Sequence, residues 1–176
     1  MSWGDKFIEL DKTTHDRASF DCGETELNSF IQTKAAKHMD VGIGITMLLP
    51  AADPFPDGKY QICAFYTVAP SSIKRDSLPQ AFAKKLPHYP VPVFLLAQMA
   101  VNLEYQGQGL GKITLIKALE YLWKINSHMR AFAVVVDCLN NKAEQFYTKY
   151  GFEVLCDYNG KTRMFLPMKT VAKLFQ

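Results

Sequence analysis

The feature that most constrains the fold is an apolar stretch that runs into a glycine-rich loop and then directly into a helix. Residues 93–103 are apolar and β-compatible, and the loop that follows is Gln106-Gly107-Gln108-Gly109-Leu110-Gly111. Residues 110–125 then carry leucines at helical spacing. Glycines permit tight turns, and a helix N-terminus offers free N–H groups and the positive end of its dipole. This order of elements indicates a cradle suited to a pyrophosphate.

The spacing of the glycines separates the known kinds of phosphate loop. A Walker A loop needs Gly-x-x-x-x-Gly-Lys-Ser/Thr, but here Gln106 stands at its first glycine and Ile113 at its hydroxyl position. The dinucleotide pattern Gly-x-Gly-x-x-Gly fails as well, because its third glycine falls on Lys112 or Thr114. The pattern that remains is Gln-x-x-Gly-x-Gly. The alternative at this point is a structural turn that merely leads into a helix.

The rest of the chain alternates strand and helix patterns, which predicts an α/β fold. The length of 176 residues suits one domain, placed over residues 1–176. Turn residues predict loops at 50–58 and 70–92, with a short helix at 80–86 in the second. The predicted strands are 7–10, 43–49, 60–68, 93–103, 131–136, 152–156 and 162–166, and the longer helices are 24–38, 110–125 and 141–150. The last two strands form a hairpin around Asn159-Gly160.

Composition excludes several classes of protein and leaves others open. The first six residues lack the basic start and apolar run of a signal peptide, and no apolar run is long enough to span a membrane. The four cysteines and four histidines are scattered singly, so we expect no metal site and no disulfide, with the cysteines buried in a reducing compartment. Residues 58–176 hold 15 Lys/Arg and seven Asp/Glu. This excess of positive charge suits the binding of RNA or of cofactor phosphates. The alternative is that these cations simply form a solvated surface.

A second motif lies on the predicted helix 141–150. It reads Asn140-Asn141-Lys142-Ala143-Glu144-Gln145-Phe146-Tyr147, and Gly151-Phe152 follows. Asn140 or Asn141 can cap this helix, with Glu144 completing a capping box from Asn141. Gly151 stands where a left-handed residue ends a helix. Together with the glycine loop, in this order, the motif resembles the two signatures of the GCN5-related N-acetyltransferase (GNAT) family.

The resemblance to the GNAT family implies a fold and a cofactor. The fold is a mixed central β-sheet flanked by helices, with a splayed strand pair that binds acetyl-CoA and receives its pantetheine by β-addition. No metal is implied. The residues implied to bind the cofactor are Met99, Ala100, Val101, Gln106, Gly107, Gln108, Gly109, Leu110, Gly111, Lys112, Asn140, Ala143 and Phe146.

Further segments resemble a narrower group, the acetyltransferase toxins of bacterial toxin–antitoxin pairs. The N-terminal match is Phe20-Asp21-Cys22-Gly23 with Leu27-Asn28-Ser29-Phe30. Other matches are residues 65–67, 90–92, 95–101 and 164–170. Two departures are Gln98 and Lys112, since many members carry arginine at both positions. Lys112 keeps a charge but lacks the bidentate fork of arginine, so we expect tuned binding rather than lost activity.

The narrower resemblance implies a substrate and partners. These toxins acetylate the α-amino group of aminoacyl-tRNA, which stops translation, and a ribbon-helix-helix antitoxin neutralises them. It also implies a bacterial cytoplasmic protein, a homodimer and no membrane association. Candidate tRNA contacts are the cations Lys34, Lys37, Lys74, Arg75, Lys84, Lys85, Lys142 and Lys149, each of which is equally well explained as a solvated surface residue.

The residues also suggest a mechanism. A free α-amino group has a pKa of about 7.7–8.0, so an aminoacyl ester needs no strong general base to attack the thioester. A lysine amine, with a pKa of about 10.4, needs one much more. Tyr147 is implied to protonate the departing CoA thiolate, although it also fits an aromatic core stripe with Phe146 and Tyr150. A backbone N–H near residues 99–101 would stabilise the oxyanion.

Two alternatives stay open at this stage. The first is a GNAT acetyltransferase for a small-molecule amine or a protein amino group, which would share every cofactor residue. The basic part of the chain and the Asp21-Cys22-Gly23 signature weigh against it. The second is a non-catalytic acyl-CoA-binding module, against which Tyr147 and the intact glycine loop argue.

Overall fold

A computed structural model describes residues 2–176, so Met1 of the predicted domain lies outside the described residues. The chain packs as two compact units, residues 2–69 with 98–118 and residues 70–97 with 119–176. The single domain expected over 1–176 therefore stays a prediction. In chain order the strands and helices are β1 (Ile8–Glu9), β2 (His15–Asp16), α1 (Thr25–Thr33), α2 (Ala35–Asp40), β3 (Ile45–Pro50), β4 (Tyr60–Ile73), α3 (Gln80–Ala83), β5 (Val91–Val101), α4 (Leu110–Asn126), β6 (Ala133–Cys138), α5 (Asn141–Lys149), β7 (Glu153–Tyr158), β8 (Lys161–Pro167) and α6 (Met168–Phe175).

The first unit is built on strands in the order β1-β3-β4-β5. β1 is antiparallel to β3, and β3 is antiparallel to β4. β2 adds a short parallel pairing to β4. The helices α1 and α2 bury Phe30, Ile31 and Ala35 in a core that also contains Leu48 and Phe65. This core supports the strand end that leads into the glycine loop, because Ala100 of β5 packs in the same cluster.

The predicted helix 24–38 is wrong in one respect, since it is two helices that meet at Lys34. Lys34 has φ −121° and ψ −38°, outside the helical range. The Thr33 hydroxyl donates a 2.7 Å hydrogen bond to the carbonyl of Ser29. A Thr hydroxyl bonded to the carbonyl four residues earlier bends a helix. The break lets Phe30 and Ala35 both face the core.

The second unit holds strands in the order β5-β6-β8-β7. β5 is parallel to β6, whereas β6-β8 and β7-β8 are antiparallel. Val93, Val135 and Phe165 are buried in its core. The rings of Phe82 and Phe165 meet edge-on at 5.7 Å between centroids. Parallel and antiparallel pairs with flanking helices confirm the predicted mixed α/β fold.

The loop predicted at 70–92 is too long at both ends. β4 continues to Ile73 and β5 already begins at Val91, while the short helix is Gln80–Ala83. Ile73 and Val91 are buried in the core of the second unit. Burial of these side chains extends the strands past Pro70, which is itself exposed as expected for a proline tolerated within a strand.

The predicted ends of helix α5 and the predicted hairpin turn are confirmed, with one change at the start of the helix. Asn140, not Asn141, caps α5, because its side-chain oxygen accepts from the N–H of Ala143 at 2.9 Å. That places Ala143 rather than Glu144 at the third helical position, so the capping box from Asn141 is wrong. Gly151 ends the helix with φ +94°. Asn159 and Gly160, at φ +50° and +79°, form the predicted hairpin turn.

Three of the four cysteines, Cys22, Cys63 and Cys138, are buried as predicted, whereas Cys156 is half-buried. Over residues 2–176 no three His, Cys, Asp or Glu side chains come close enough together to hold a metal ion. Over the same range no helix combines the length and the apolar character that crossing a membrane requires.

Candidate active site

The glycine loop forms an open set of backbone donors ahead of α4. Gly107 and Gly109 have φ +77° and +81°, a left-handed conformation that favours glycine. Within residues 2–176, the N–H groups of residues 107–112 donate to no protein acceptor. Leu110 is buried and fixes the start of α4 in the core. The arrangement can bind an anion such as a pyrophosphate, as the sequence predicts.

Gln106 is tied to the protein backbone on two sides. Its side-chain amide donates to the carbonyl of Val101 at 2.8 Å and to the carbonyl of Cys22 at 3.0 Å. The N–H of Leu103 donates to the carbonyl of Asp21 at 2.8 Å. The N-terminal signature and the glycine loop are therefore in direct contact within the first unit.

A polar network of two buried side chains, Gln61 and Tyr105, with the exposed Glu104 directly precedes the loop and was not predicted. The Tyr105 hydroxyl donates to the side-chain oxygen of Gln61 at 3.0 Å, and the Gln61 amide donates to Glu104 at 2.8 Å. Burial, together with a hydrogen bond to Cys63, raises the pKa of Tyr105 to about 12. A signal was available in the sequence, since Gln61 is a polar residue inside an apolar strand and Tyr105 directly precedes the loop.

The end of β5 contains the predicted pantetheine residues. Ala100 is buried in the core, and Met99 and Val101 are half-buried. The parallel register of β5 with β6 covers three pairs, of which Leu96 with Val136 is the last. Beyond Leu96, β5 continues to Val101.

Tyr147 lies on α5 in the second unit and is buried, at 8% exposure. Its ring contacts those of Phe146 and Phe152, each with centroids 5.2 Å apart. Burial raises the pKa of its phenol well above the ordinary value, and neighbouring Cys138 adds to the effect. The pKa of the Cys138 thiol is itself raised to about 11 by burial. Tyr147 is therefore both part of an aromatic core and a protonated donor at neutral pH.

The predicted cofactor residues fall into two groups. Residues 99–101 and 106–112 lie together in the first unit, and Asn140, Ala143, Phe146 and Tyr147 lie together in the second. Gln108 and Lys112 are exposed, and Phe146 is half-buried between Tyr147 and Tyr150. Asn140 has a structural task as the cap of α5.

The predicted tRNA contacts fall in both units. Lys34 and Lys37 lie in the first unit, and the other six lie in the second. All are exposed except Arg75, which is half-buried and donates to the carbonyl of Leu86 at 3.1 Å. Lys149 lies over the ring of Tyr150 at 5.7 Å. Arg75 is thus partly committed to the protein itself.

Comparison with protein families gives a match over residues 72–154 to the Acetyltransferase (GNAT) domain. This segment contains the glycine loop and α5 with Tyr147. The match agrees with the family that the sequence motifs indicate.

Individual relatives resemble more of the chain. A probable toxin TacT of Sinorhizobium fredii is 27% identical over 94% of this chain and 92% of that protein. A tRNA-acetylating toxin of Mycobacterium tuberculosis is 29% identical over 79% of each chain. A solved structure of AtaT complexed with acetyl-methionyl-tRNAfMet is 28% identical, with a TM-score of 0.86 over 97% of this chain and 99% of that one.

Proposed function

We propose that the chain is a GNAT acetyltransferase that transfers an acetyl group from acetyl-CoA to the α-amino group of aminoacyl-tRNA. In this proposal it is a translation-blocking toxin that a cognate antitoxin neutralises. The observation that best supports acetyl-CoA as the donor is the loop 107–112, whose N–H groups have no protein acceptor within the described chain. The acceptor half is supported by relatives described as toxins and as tRNA-acetylating.

The donor site rests on the backbone more than on side chains. Oriented N–H groups at the start of α4 would hold the pyrophosphate of acetyl-CoA, with Lys112 supplying a point charge. The end of β5, residues 99–101, would receive the pantetheine as an added strand. Asn140, Ala143 and Phe146 of α5 are proposed as further cofactor contacts, as the resemblance to the GNAT family implies.

The transfer step is a direct attack of the neutral amine on the thioester carbon. The N–C bond forms, the C–S bond breaks, and the amine proton is lost to water. We assign Tyr147 as the acid that protonates the departing thiolate, because its buried phenol remains protonated at neutral pH. The phenolate that this leaves regains a proton from water, which has taken one from the amine. An aminoacyl ester suits this site, since its α-amino group is largely neutral without a strong base.

The partners follow from the same assignment. The eight cations predicted to contact tRNA would bind its phosphates without reading sequence. A ribbon-helix-helix antitoxin would neutralise the enzyme, and we propose a homodimer, whose two-fold symmetry would double the basic surface. The chain would act in the bacterial cytoplasm, where tRNA and acetyl-CoA are available.

A small-amine or protein acetyltransferase is the second candidate, because it would use the same donor site. The relatives' descriptions favour aminoacyl-tRNA over these acceptors. The module that only binds acyl-CoA is disfavoured, since Tyr147 supplies a buried acid for catalysis.

In vitro translation discriminates between these functions. The wild type should stop synthesis of a reporter only when acetyl-CoA is added, and nuclease digestion of the tRNA should release N-acetyl-aminoacyl adenosine. The Tyr147→Phe protein serves as the matched control, because it should bind acetyl-CoA without stopping synthesis. Unaffected translation together with acetylation of free amines would support the small-amine acetyltransferase. The absence of acetylation of any acceptor would support the module that only binds acyl-CoA.

A further inference from the structure

We propose that the N-terminal clamp, residues 20–28, is a positioning element for the acetyl-CoA loop and that Asn28 is its key side chain. This inference rests on the proposed donor site. In the sequence analysis, the Asp21-Cys22-Gly23 signature was an argument about the acetyl acceptor. The inference gives this signature a different role, which is to hold the cofactor loop in place.

The clamp touches the loop through backbone carbonyls rather than through side chains. The carbonyl of Asp21 accepts from the N–H of Leu103 at 2.8 Å, and the carbonyl of Cys22 accepts from the side-chain amide of Gln106 at 3.0 Å. Leu103 is the first residue of the 3-10 turn Leu103–Tyr105 that leads into the glycines, and Gln106 directly follows this turn. Two carbonyls that are consecutive in the chain therefore hold both ends of this turn.

Asn28 fixes the two residues that supply these carbonyls. Its side-chain oxygen accepts from the N–H of Cys22 at 2.8 Å. Its side-chain nitrogen donates to the carboxylate of Asp21 at 2.9 Å. The same carboxylate oxygen accepts from the N–H of Gly23 at 2.9 Å, and these hydrogen bonds lower the pKa of Asp21. Asn28 is thus bonded to both residues, with its amide oriented by the charge of Asp21.

The clamp is anchored to a rigid part of the first unit. Phe20 and Cys22 are buried in its core, beside Phe30 and Phe65. The Gln32 side chain donates to the carbonyl of Phe20 at 2.9 Å. Asn28 and Gln32 lie four residues apart on α1, so one helix face holds the segment at two points. The loop is in this way fixed relative to α1.

Preorganisation of the loop should act on cofactor affinity rather than on the chemical step. Loose ends at Leu103 and Gln106 would let the glycines sample conformations in which the free N–H groups diverge, and binding would then have to order them. Because none of the clamp residues is the proposed acid, turnover at saturating acetyl-CoA should change little. A rise in KM for acetyl-CoA with an unchanged kcat is the expected signature.

A reciprocal exchange of the two side chains tests this. Asn28→Asp keeps the acceptor for Cys22 but places a second carboxylate against Asp21, and the repulsion should displace the clamp. The double change Asp21→Asn with Asn28→Asp restores a donor–acceptor pair and the wild-type net charge. Thr33→Ala, which removes a hydroxyl bond elsewhere on α1, is the control. Each protein is titrated with CoA by calorimetry and assayed at saturating aminoacyl-tRNA.

We expect the Kd for CoA and the KM for acetyl-CoA to rise about tenfold in Asn28→Asp, equivalent to about 1.4 kcal/mol. They should return to within about threefold in the double variant, while kcat stays within about twofold throughout. An unchanged Kd in a folded Asn28→Asp protein would overturn the inference. The inference would also be overturned if Asn28→Asp lowered only the melting temperature and the binding stoichiometry measured by calorimetry. That result would mean that Asn28 only supports folding. If wild type itself bound no CoA, the proposed function would fail instead.

Discussion

The guanidinium of Arg163 holds the carboxylate of Asp137 in a two-pronged ion pair, with Nε–Oδ1 at 2.7 Å and Nη2–Oδ2 at 2.8 Å. The two residues are direct cross-strand partners on β8 and β6. Arg163 also lies over the ring of Tyr158 at 3.7 Å, and only 7% of it is exposed. The pair therefore joins β6 to β8 one residue before Cys138, whose thiol contributes to the raised pKa of Tyr147.

Removal of Asp137 should destabilise the protein strongly. Asp137→Ala leaves the Arg163 charge buried without its carboxylate, and an uncompensated buried charge costs about 3 kcal/mol. Asp76→Ala is the matched control, since its contact with Arg75 is 3.9 Å long and its side chain is 94% exposed. That change should alter the free energy of unfolding by less than about 0.5 kcal/mol. Urea unfolding measures both, and equal losses would contradict a structural role for the ion pair.

Tyr147→Phe should separate binding from chemistry. The phenyl ring keeps the contacts with Phe146 and Phe152, so the fold and the Kd for acetyl-CoA should be preserved. Without the hydroxyl, transfer should fall about 10²- to 10⁴-fold, the usual contribution of a general acid. Tyr150→Phe, directly after the same helix, should retain activity. Full activity of Tyr147→Phe in a single-turnover acetylation assay would remove Tyr147 from the mechanism.

The pH profile should have a rising limb only. Burial raises the pKa of Tyr147, so the phenol stays protonated well into the alkaline range. Deprotonation of Tyr147 therefore cannot lower the rate within that range. The rising limb should follow loss of the proton from the acceptor amine, at or below a pKa of about 7.7–8.0. Measurement of kcat/KM between pH about 5.5 and about 9, with a non-hydrolysable amide-linked aminoacyl-tRNA, checks this. A falling limb below about pH 9 would indicate a different acid.

Local signals explain why parts of the fold could be predicted. Asn140 and Gly151 mark the ends of α5, and Asn159-Gly160 marks a hairpin, because each acts on its own backbone. The glycine loop was found in the same way. These features need no knowledge of distant residues.

The errors arose where distant packing decides the structure. The extension of β4 to Ile73 follows from burial of Ile73 in the core of the second unit, and the helix break at Lys34 places Ala35 in the core of the first. The bond between Gln106 and the carbonyl of Cys22 joins residues 84 positions apart. No periodicity reports such a pairing, so the contact between the N-terminal signature and the loop could come only from the structure.

Gly109→Ala should weaken cofactor binding through the backbone alone. A Cβ at Gly109 meets no atom within 4 Å, but the residue has φ +81°, which costs an alanine about 1–2 kcal/mol. Relief of that strain would turn the loop N–H groups away, and the Kd for CoA should rise about tenfold. Gly58→Ala is matched, since Gly58 has φ +87° and equally open surroundings in the loop between β3 and β4. It should lose similar stability in urea unfolding yet keep its Kd. Equal Kd values for the two variants in calorimetry would show that the left-handed turn at Gly109 does not orient the phosphate donors.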